Sequence, residues 1–110
     1  MVLTVQNGVE SAGELGEIVG ADRVVCGVSW ITANFESPGV VAHARGKRLI
    51  FGEPTGGLST RVERLRSVFE RADIEPEVHS SIRIPLWHKF MIASPAAGLS
   101  ALTRLPLGAS

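Results

Sequence analysis

Between Arg23 and Gly52 the sequence concentrates β-forming residues, and on both sides of that stretch the apolar spacing turns helical. Val24, Val25, Val28, Trp30, Ile31 and Thr32 predict a strand over Arg23–Ala33. Ser37-Pro38-Gly39 is a turn, Val40–Ala44 predicts a second strand, Arg45-Gly46-Lys47 a hairpin-like loop, and Arg48–Gly52 a third strand. Pro54-Thr55-Gly56-Gly57 then breaks the sheet. Behind it Val62, Leu65, Val68, Phe69 and Ala72 recur at helical spacing, and Thr60 and Glu63 match a capping box. Strands interleaved with amphipathic helices place the chain in the α/β class.

The amino-terminal residues agree with that class. Val2–Val5 is an apolar run ending in Gln6-Asn7-Gly8, which predicts a buried strand entering a tight turn. A helix follows, with Ala12, Leu15, Ile18 and Val19 on one stripe, Glu10 and Glu14 near its positive end, and Gly20 at the C-cap. Strand, turn and helix make half of a βαβ unit. Opening directly on such a unit, and stopping at Pro106–Ser110 without a closing element, is the pattern of a fold entered and left part-way through.

Composition narrows the function classes. The 110 residues are 45% hydrophobic and 20% charged, a globular rather than a disordered balance. Eleven basic and eleven acidic residues give zero formal net charge, and no basic stripe with interleaved aromatics points to nucleic acid. Arg61, Arg64, Arg66 and Arg71 share one predicted helix and read as its solvated face. No apolar run is long enough for a bilayer, and no signal-peptide pattern precedes the first strand. The single cysteine, Cys26, excludes an intrachain disulfide and reads as a small buried hydrophobe, which fits a reducing, cytoplasmic setting. His43, His79 and His88 fall in different elements, so no metal site is expected. Gly13, Gly16 and Gly20 lack dinucleotide-fingerprint spacing.

The chemistry concentrates in two places. Asn7 stands just past the carboxyl end of a buried strand, where open parallel sheets place ligands, and its amide can donate and accept; simple Asn-Gly turn chemistry is the alternative. Lys89 lies in Leu86-Trp87-His88-Lys89-Phe90-Met91-Ile92-Ala93, a helix that Ser80 or Ser81 can cap, that tolerates Pro85 only in its first turn, and that Pro95 should kink or interrupt. On the helical wheel Leu86, Trp87, Phe90 and Met91 take one side. Lys89 shares its own side with Ile82, Pro85, Ile92, Ala93 and Ala96, so the helix is apolar nearly all round and reads as buried. A lysine stripped of water there gives up its proton more readily; the alternative is a lysine that snorkels along its stem to the surface.

Gln6-Asn7-Gly8, Arg23–Gly27, Pro38–His43, Gly52-Glu53 and Leu86-Trp87-x-Lys89-Phe90 occur here in an order that resembles the ketopantoate reductase (2-dehydropantoate 2-reductase) family over the whole chain. The resemblance implies NADPH-dependent reduction of ketopantoate to pantoate, on the route to pantothenate. It makes residues 1–80 the later part of a Rossmann-like NADPH-binding domain and residues 81–110 the opening helices of an all-α substrate and dimerisation domain. The glycine-rich phosphate loop then belongs upstream of Met1, and a substrate-binding serine and a cofactor-contacting glutamate beyond Ser110, so the isolated fragment should be inactive. Carried over by position, Lys89 is the catalytic acid, Asn7 sits between nicotinamide and substrate, and Ala33 contacts the cofactor through its backbone. Ala93 and Ala97 replace the substrate-binding asparagines the family leads one to expect, and Leu107 a later one. The implied partners are a small ketoacid and a second copy in a homodimer. A less polar 2-keto compound as substrate is one expectation from those alanines; a non-catalytic binding or oligomerisation module of the same fold is the alternative.

Overall fold

The computed structural model describes residues 1–106. In chain order they form β1 (Val2–Thr4), α1 (Ser11–Val19), a 3-10 turn at Ala21–Arg23, β2 (Val24–Ser37), β3 (Val40–Gly52), α2 (Thr60–Arg71), β4 (Glu75–Val78) and α3 (Arg83–Thr103). The four strands lie in the order β1-β2-β3-β4. β1 runs parallel to β2, β2 antiparallel to β3, and β3 parallel to β4. The α/β class expected from the sequence is the class observed.

β2 is the spine because its first five residues are buried on both faces of the sheet. A continuous apolar run of this kind suits a strand covered from two sides. The alternation of side chains sorts the core into two layers. Cys26, Val28 and Ile50 face one way and pack with Ile82 and Leu86, with Val9 and Ala12 at the margin. Val25, Leu49 and Phe51 face the other way and meet Val62, Leu65 and Phe69 of α2, where Phe51 and Phe69 stand edge to face at 5.5 Å. α1 and α3 therefore cover one face, and α2 the other. Cys26 is buried as expected, and burial pushes its thiol pKa up, away from reactivity.

Several local expectations are corrected. Arg45-Gly46-Lys47 does not reverse the chain: β3 is one strand of 13 residues. The register to β2 slips between Trp30 and Thr32, and Gly46 has φ 92° with the place of a Cβ only 2.3 Å from the Trp30 carbonyl oxygen. Glycine here makes a bulge, with the extra residue absorbed in the ladder, and not the turn its neighbours suggest. The only reversal between β2 and β3 is Pro38-Gly39, with Gly39 at φ 79°. Ser59, not Thr60, caps α2 by accepting from the Val62 amide, and Glu63 pairs with Arg66 instead of closing a capping box. Ile18 is 80% exposed, so the predicted stripe of α1 is only partly used. α3 has no side-chain cap from Ser80 or Ser81, and it continues through Pro95 to Thr103. Nor is it buried all round: Trp87, Met91, Ile92, Leu99 and Leu102 are exposed, because no other element of the described chain lies over that side.

Arg61 departs furthest from a solvated helix face. Its guanidinium donates to both Glu53 carboxylate oxygens and to the carbonyls of Asp22 and Val24, while Ser59 Oγ donates to Glu53 at 2.7 Å. One ion pair thus ties the start of α2 to the end of β3 and the entry to β2, with the Glu53 side chain only 13% exposed. The Arg61 guanidinium, followed by the Ser59 hydroxyl, holds the Glu53 carboxyl below its usual range against the opposing effect of burial. A carboxylate whose folded pKa lies below its unfolded one adds stability that is fully present above the ordinary glutamate range. That stability is lost as pH falls through the folded value. In urea melts, Arg61→Ala should cost roughly 1–3 kcal/mol near neutrality, because Glu53 is left partly buried without its partner. The difference between wild type and Glu53→Gln should shrink as the buffer is acidified; a difference constant down to strongly acidic pH would contradict the pairing.

Candidate active site

The segment 79–82 sets where α3 begins. Gly52 accepts the backbone of His79 so closely that a Cβ would stand 2.3 Å from the His79 carbonyl oxygen. The His79 amide donates to the Phe51 carbonyl at 2.9 Å, and the Gly57 amide to the Ser80 carbonyl at 2.8 Å. Ile82, 1% exposed, and Leu86 then sink into the layer of Cys26, Val28 and Ile50. Docked by its first turns, α3 passes over the carboxyl end of β1 and walls a cavity of about 340 Å³. A volume of that order suits a small ligand.

The cavity is lined by Val5, Gln6, Asn7 and Gly8 after β1, by Val28 of β2, and by Leu86, Lys89, Phe90, Ala93, Ser94 and Ala97 of α3. Asn7 and Lys89, chosen separately from the sequence, face one space. The α3 residues recur at three- and four-residue steps, so they form one helix face. This differs from the wheel, which set Leu86 and Phe90 opposite Lys89; the cavity face is centred near Leu86, and Lys89 lies at its edge. Ala93 and Ala97 present methyl groups along the helix wall. Ala33 is not brought to the cavity: it is exposed on the outer part of the β2–β3 hairpin, paired with His43. Leu107 lies outside the described residues.

Lys89 does not snorkel outward. Its Nζ donates to the Ser29 carbonyl at 2.5 Å, sixty residues away in sequence, and lies 5.4 Å from the centre of the Trp30 indole. Burial holds its pKa below the usual lysine range. Asn7, exposed, lines the same cavity, so its amide is available to a ligand. Gly8, at φ 101°, has nothing within 4 Å of the place a Cβ would take, which leaves the carboxyl end of β1 open to close approach. The remaining polar liners, Gln6 and Ser94, were not singled out in the sequence. Gln6 adjoins Asn7, and Ser94 follows Phe90 by four residues on the cavity face of α3, a relation that only the docked helix makes visible. The Ser29 carbonyl and Trp30 carried no signal, since only tertiary packing brings them to α3. Chemically, the arrangement joins an amide that donates and accepts to an ammonium of lowered pKa across a largely apolar space.

The chain is similar to known proteins over most of its length. A family model described as ketopantoate reductase PanE/ApbA matches residues 1–56. The chain is 32% identical over 103 residues to a 2-dehydropantoate 2-reductase of Mesorhizobium japonicum, covering 94% of this chain and 32% of that protein. It is 35% identical over 105 residues to a 2-dehydropantoate 2-reductase of Halobacterium salinarum, covering 96% of this chain and 34% of that one. The chain thus spans about a third of the length of these curated relatives. Among solved structures, the 2-dehydropantoate 2-reductase of Geobacter metallireducens superposes with a TM-score of 0.88 at 31% identity, over 97% of this chain and 36% of that one.

The two lysines of the chain, Lys47 and Lys89, make the electrostatics of the cavity directly measurable. Lys47 is exposed and bonded to Asp73 at 2.6 Å, which holds its pKa above the usual lysine value. After reductive ¹³C-methylation, NMR titration should give two lysine midpoints displaced in opposite directions, Lys89 low and Lys47 high. Coincident midpoints would show that the Lys89 site is wet.

Proposed function

The chain belongs to the ketopantoate reductase family, and we propose that it is the part of an NADPH-dependent 2-keto acid reductase that carries the proton donor, Lys89, and the orienting amide, Asn7. The observation behind this reading is that Asn7 and Lys89, far apart in sequence, line one cavity. The site fits the nicotinamide end of the cofactor on two counts: the Asn7 amide can match a carboxamide, and the space over Gly8 is open. The chemistry such a cofactor supplies when bound is a hydride for the carbonyl carbon of the ketoacid.

The residues of this chain account for the other half of the reaction. As the carbonyl carbon is reduced, negative charge gathers on its oxygen. The Lys89 ammonium stabilises that charge and then passes it a proton from Nζ. Partial burial helps twice, by strengthening the attraction in a site poor in water and by lowering the cost of releasing the proton. Asn7, lining the same cavity, orients the reacting groups. Ala33 remains assigned to backbone contact with the cofactor, from the β2–β3 hairpin.

The same reading divides the chain near residue 80: residues 1–80 belong with the cofactor-binding domain, and residues 81–110 begin a helical substrate domain. The exposed Trp87, Met91, Leu99 and Leu102 support it, since an apolar helix side calls for further helices or a second copy in a homodimer. No helix among the described residues is long and apolar enough to cross a membrane, and a cytoplasmic setting goes with the proposal.

Because the chain spans about a third of its relatives, the assay needs a complete scaffold. Residues 1–110 grafted in place of the matching segment of the Geobacter metallireducens protein should consume NADPH with ketopantoate or a less polar 2-keto acid. Lys89→Ala in that chimera should lower kcat/KM by about 100-fold or more, and Asn7→Ala by about ten-fold. The acid must be protonated to act, so activity should fall as pH rises through the Lys89 pKa. That alkaline limb should lie below the ordinary lysine range and vanish in Lys89→Ala. Turnover undiminished in Lys89→Ala would sink the assignment; a folded chimera inert toward every ketoacid would favour a non-catalytic binding or oligomerisation module.

A further inference from the structure

An ammonium on a four-carbon stem is a poor proton donor unless something holds it still. Among the described residues no carboxylate pairs with Lys89; the five ion pairs involve Lys47, Arg48, Arg61 and Arg66. What meets Lys89 is the Ser29 carbonyl at 2.5 Å and the Trp30 indole at 5.4 Å. These are neighbours on β2, where the strand passes beneath α3. Trp30 is itself fixed: half-buried, it packs against the layer of Cys26, Val28, Ile50, Ile82 and Leu86. His88, the residue before Lys89, stands over the indole at 6.5 Å with the rings tilted by 55°. The indole Nε1 is buried without a hydrogen-bond partner, so the ring is kept there for its apolar body and π face and not for its donor.

We propose that Trp30 is the positioning residue for Lys89, its indole and the Ser29 carbonyl together fixing the ammonium beside the Asn7 cavity without neutralising it. The physical distinction is from a carboxylate partner. A carboxylate would hold Lys89 equally well but would raise its pKa, tighten its grip on the proton and cancel the charge a developing oxyanion needs. A carbonyl dipole and an aromatic quadrupole attract the cation, yet neither carries net charge to cancel it. Nearby formal charges do not disturb the arrangement, because Arg48 of β3 and Glu77 of β4 are paired with each other at 2.8 Å, leaving His88 and His79 as the titratable groups on that side of the indole.

The inference rests on Lys89 being the proton donor, but the placement can be measured apart from turnover. In the ¹³C-methylated 110-residue chain, the Lys89 methyl and ε-methylene signals should be displaced upfield by the indole ring current, with Lys47 as the internal reference. Trp30→Leu keeps apolar bulk and removes the π face, so it should abolish the displacement and lower the Lys89 titration midpoint; Trp30→Phe should retain part of both. Lys89 signals without an upfield displacement in the wild type would overturn the proposal, and that measurement needs no variant to fold. A folded Trp30→Leu with an unchanged Lys89 midpoint would overturn it as well. In the chimera, Trp30→Leu should lower kcat more than it raises KM, and Trp30→Phe should partly restore kcat. If Lys89→Ala keeps full turnover while the ring-current displacement is present, the proton-donor reading fails and the placement of Lys89 by Trp30 stands.

Discussion

The candidate site depends on the seating of Ile82 and Leu86 against Cys26, Val28 and Ile50. Each such side chain, fully buried, is worth about 1.5–3 kcal/mol, and together they are the main apolar anchor of α3 on the sheet. The anchor acts over the first turns of the helix alone; beyond Leu86 the outward residues are largely exposed. Lys89 follows one turn after the anchor, where the helix still lies close to β2. Any shift in the seating of Ile82 would carry Lys89 away from Ser29. The close crossing of His79 over Gly52 matters for the same reason, since it fixes where the helix can begin.

Two charges among the described residues, Arg61 and Lys89, are held by opposite means. Arg61 is satisfied by a carboxylate and two carbonyls, in a pair whose product is mechanical: it fastens α2 to the sheet and leaves no net charge to use. Lys89 is held by neutral groups and remains a net cation facing a cavity. The first arrangement fastens elements together, and the second leaves a cation free to meet charge on a ligand, as the proposed proton donor requires. Exposed pairs such as Lys47–Asp73 and Arg48–Glu77 fall in neither class, because screening leaves them little energy.

How much was legible in the sequence followed the range of the interactions involved. The apolar stripe of α2 was legible because helical periodicity is local, and Val62, Leu65 and Phe69 do pack as that stripe demands. The strand at β2 was legible from its β-branched and aromatic residues for the same reason, though its outer half runs on to Ser37, beyond the expected end at Ala33. Gly46 misled because a glycine between two β-type runs has the same local signature as a turn or as a bulge, and only the facing strand decides between them. The cap of α2 falls on Ser59 and not on Thr60, since the two hydroxyls offer the same chemistry and the path of the loop selects one. Arg61 was counted with its neighbours on a solvated face, because nothing near it in sequence reveals that Glu53 will be folded beside it.

The sequence by itself determined the class of fold and pointed to two residues, Asn7 and Lys89, with chemistry to offer. These follow from side-chain type and short-range spacing, which the chain carries whatever its tertiary path. Only the tertiary structure decided that Asn7 and Lys89 share a cavity, that Ala33 stands away from it, and that the lysine turns inward onto a carbonyl and an indole. Those outcomes depend on where α3 docks across β2, and that is set by long-range packing of Ile82 and Leu86, for which no local pattern in the chain is a proxy.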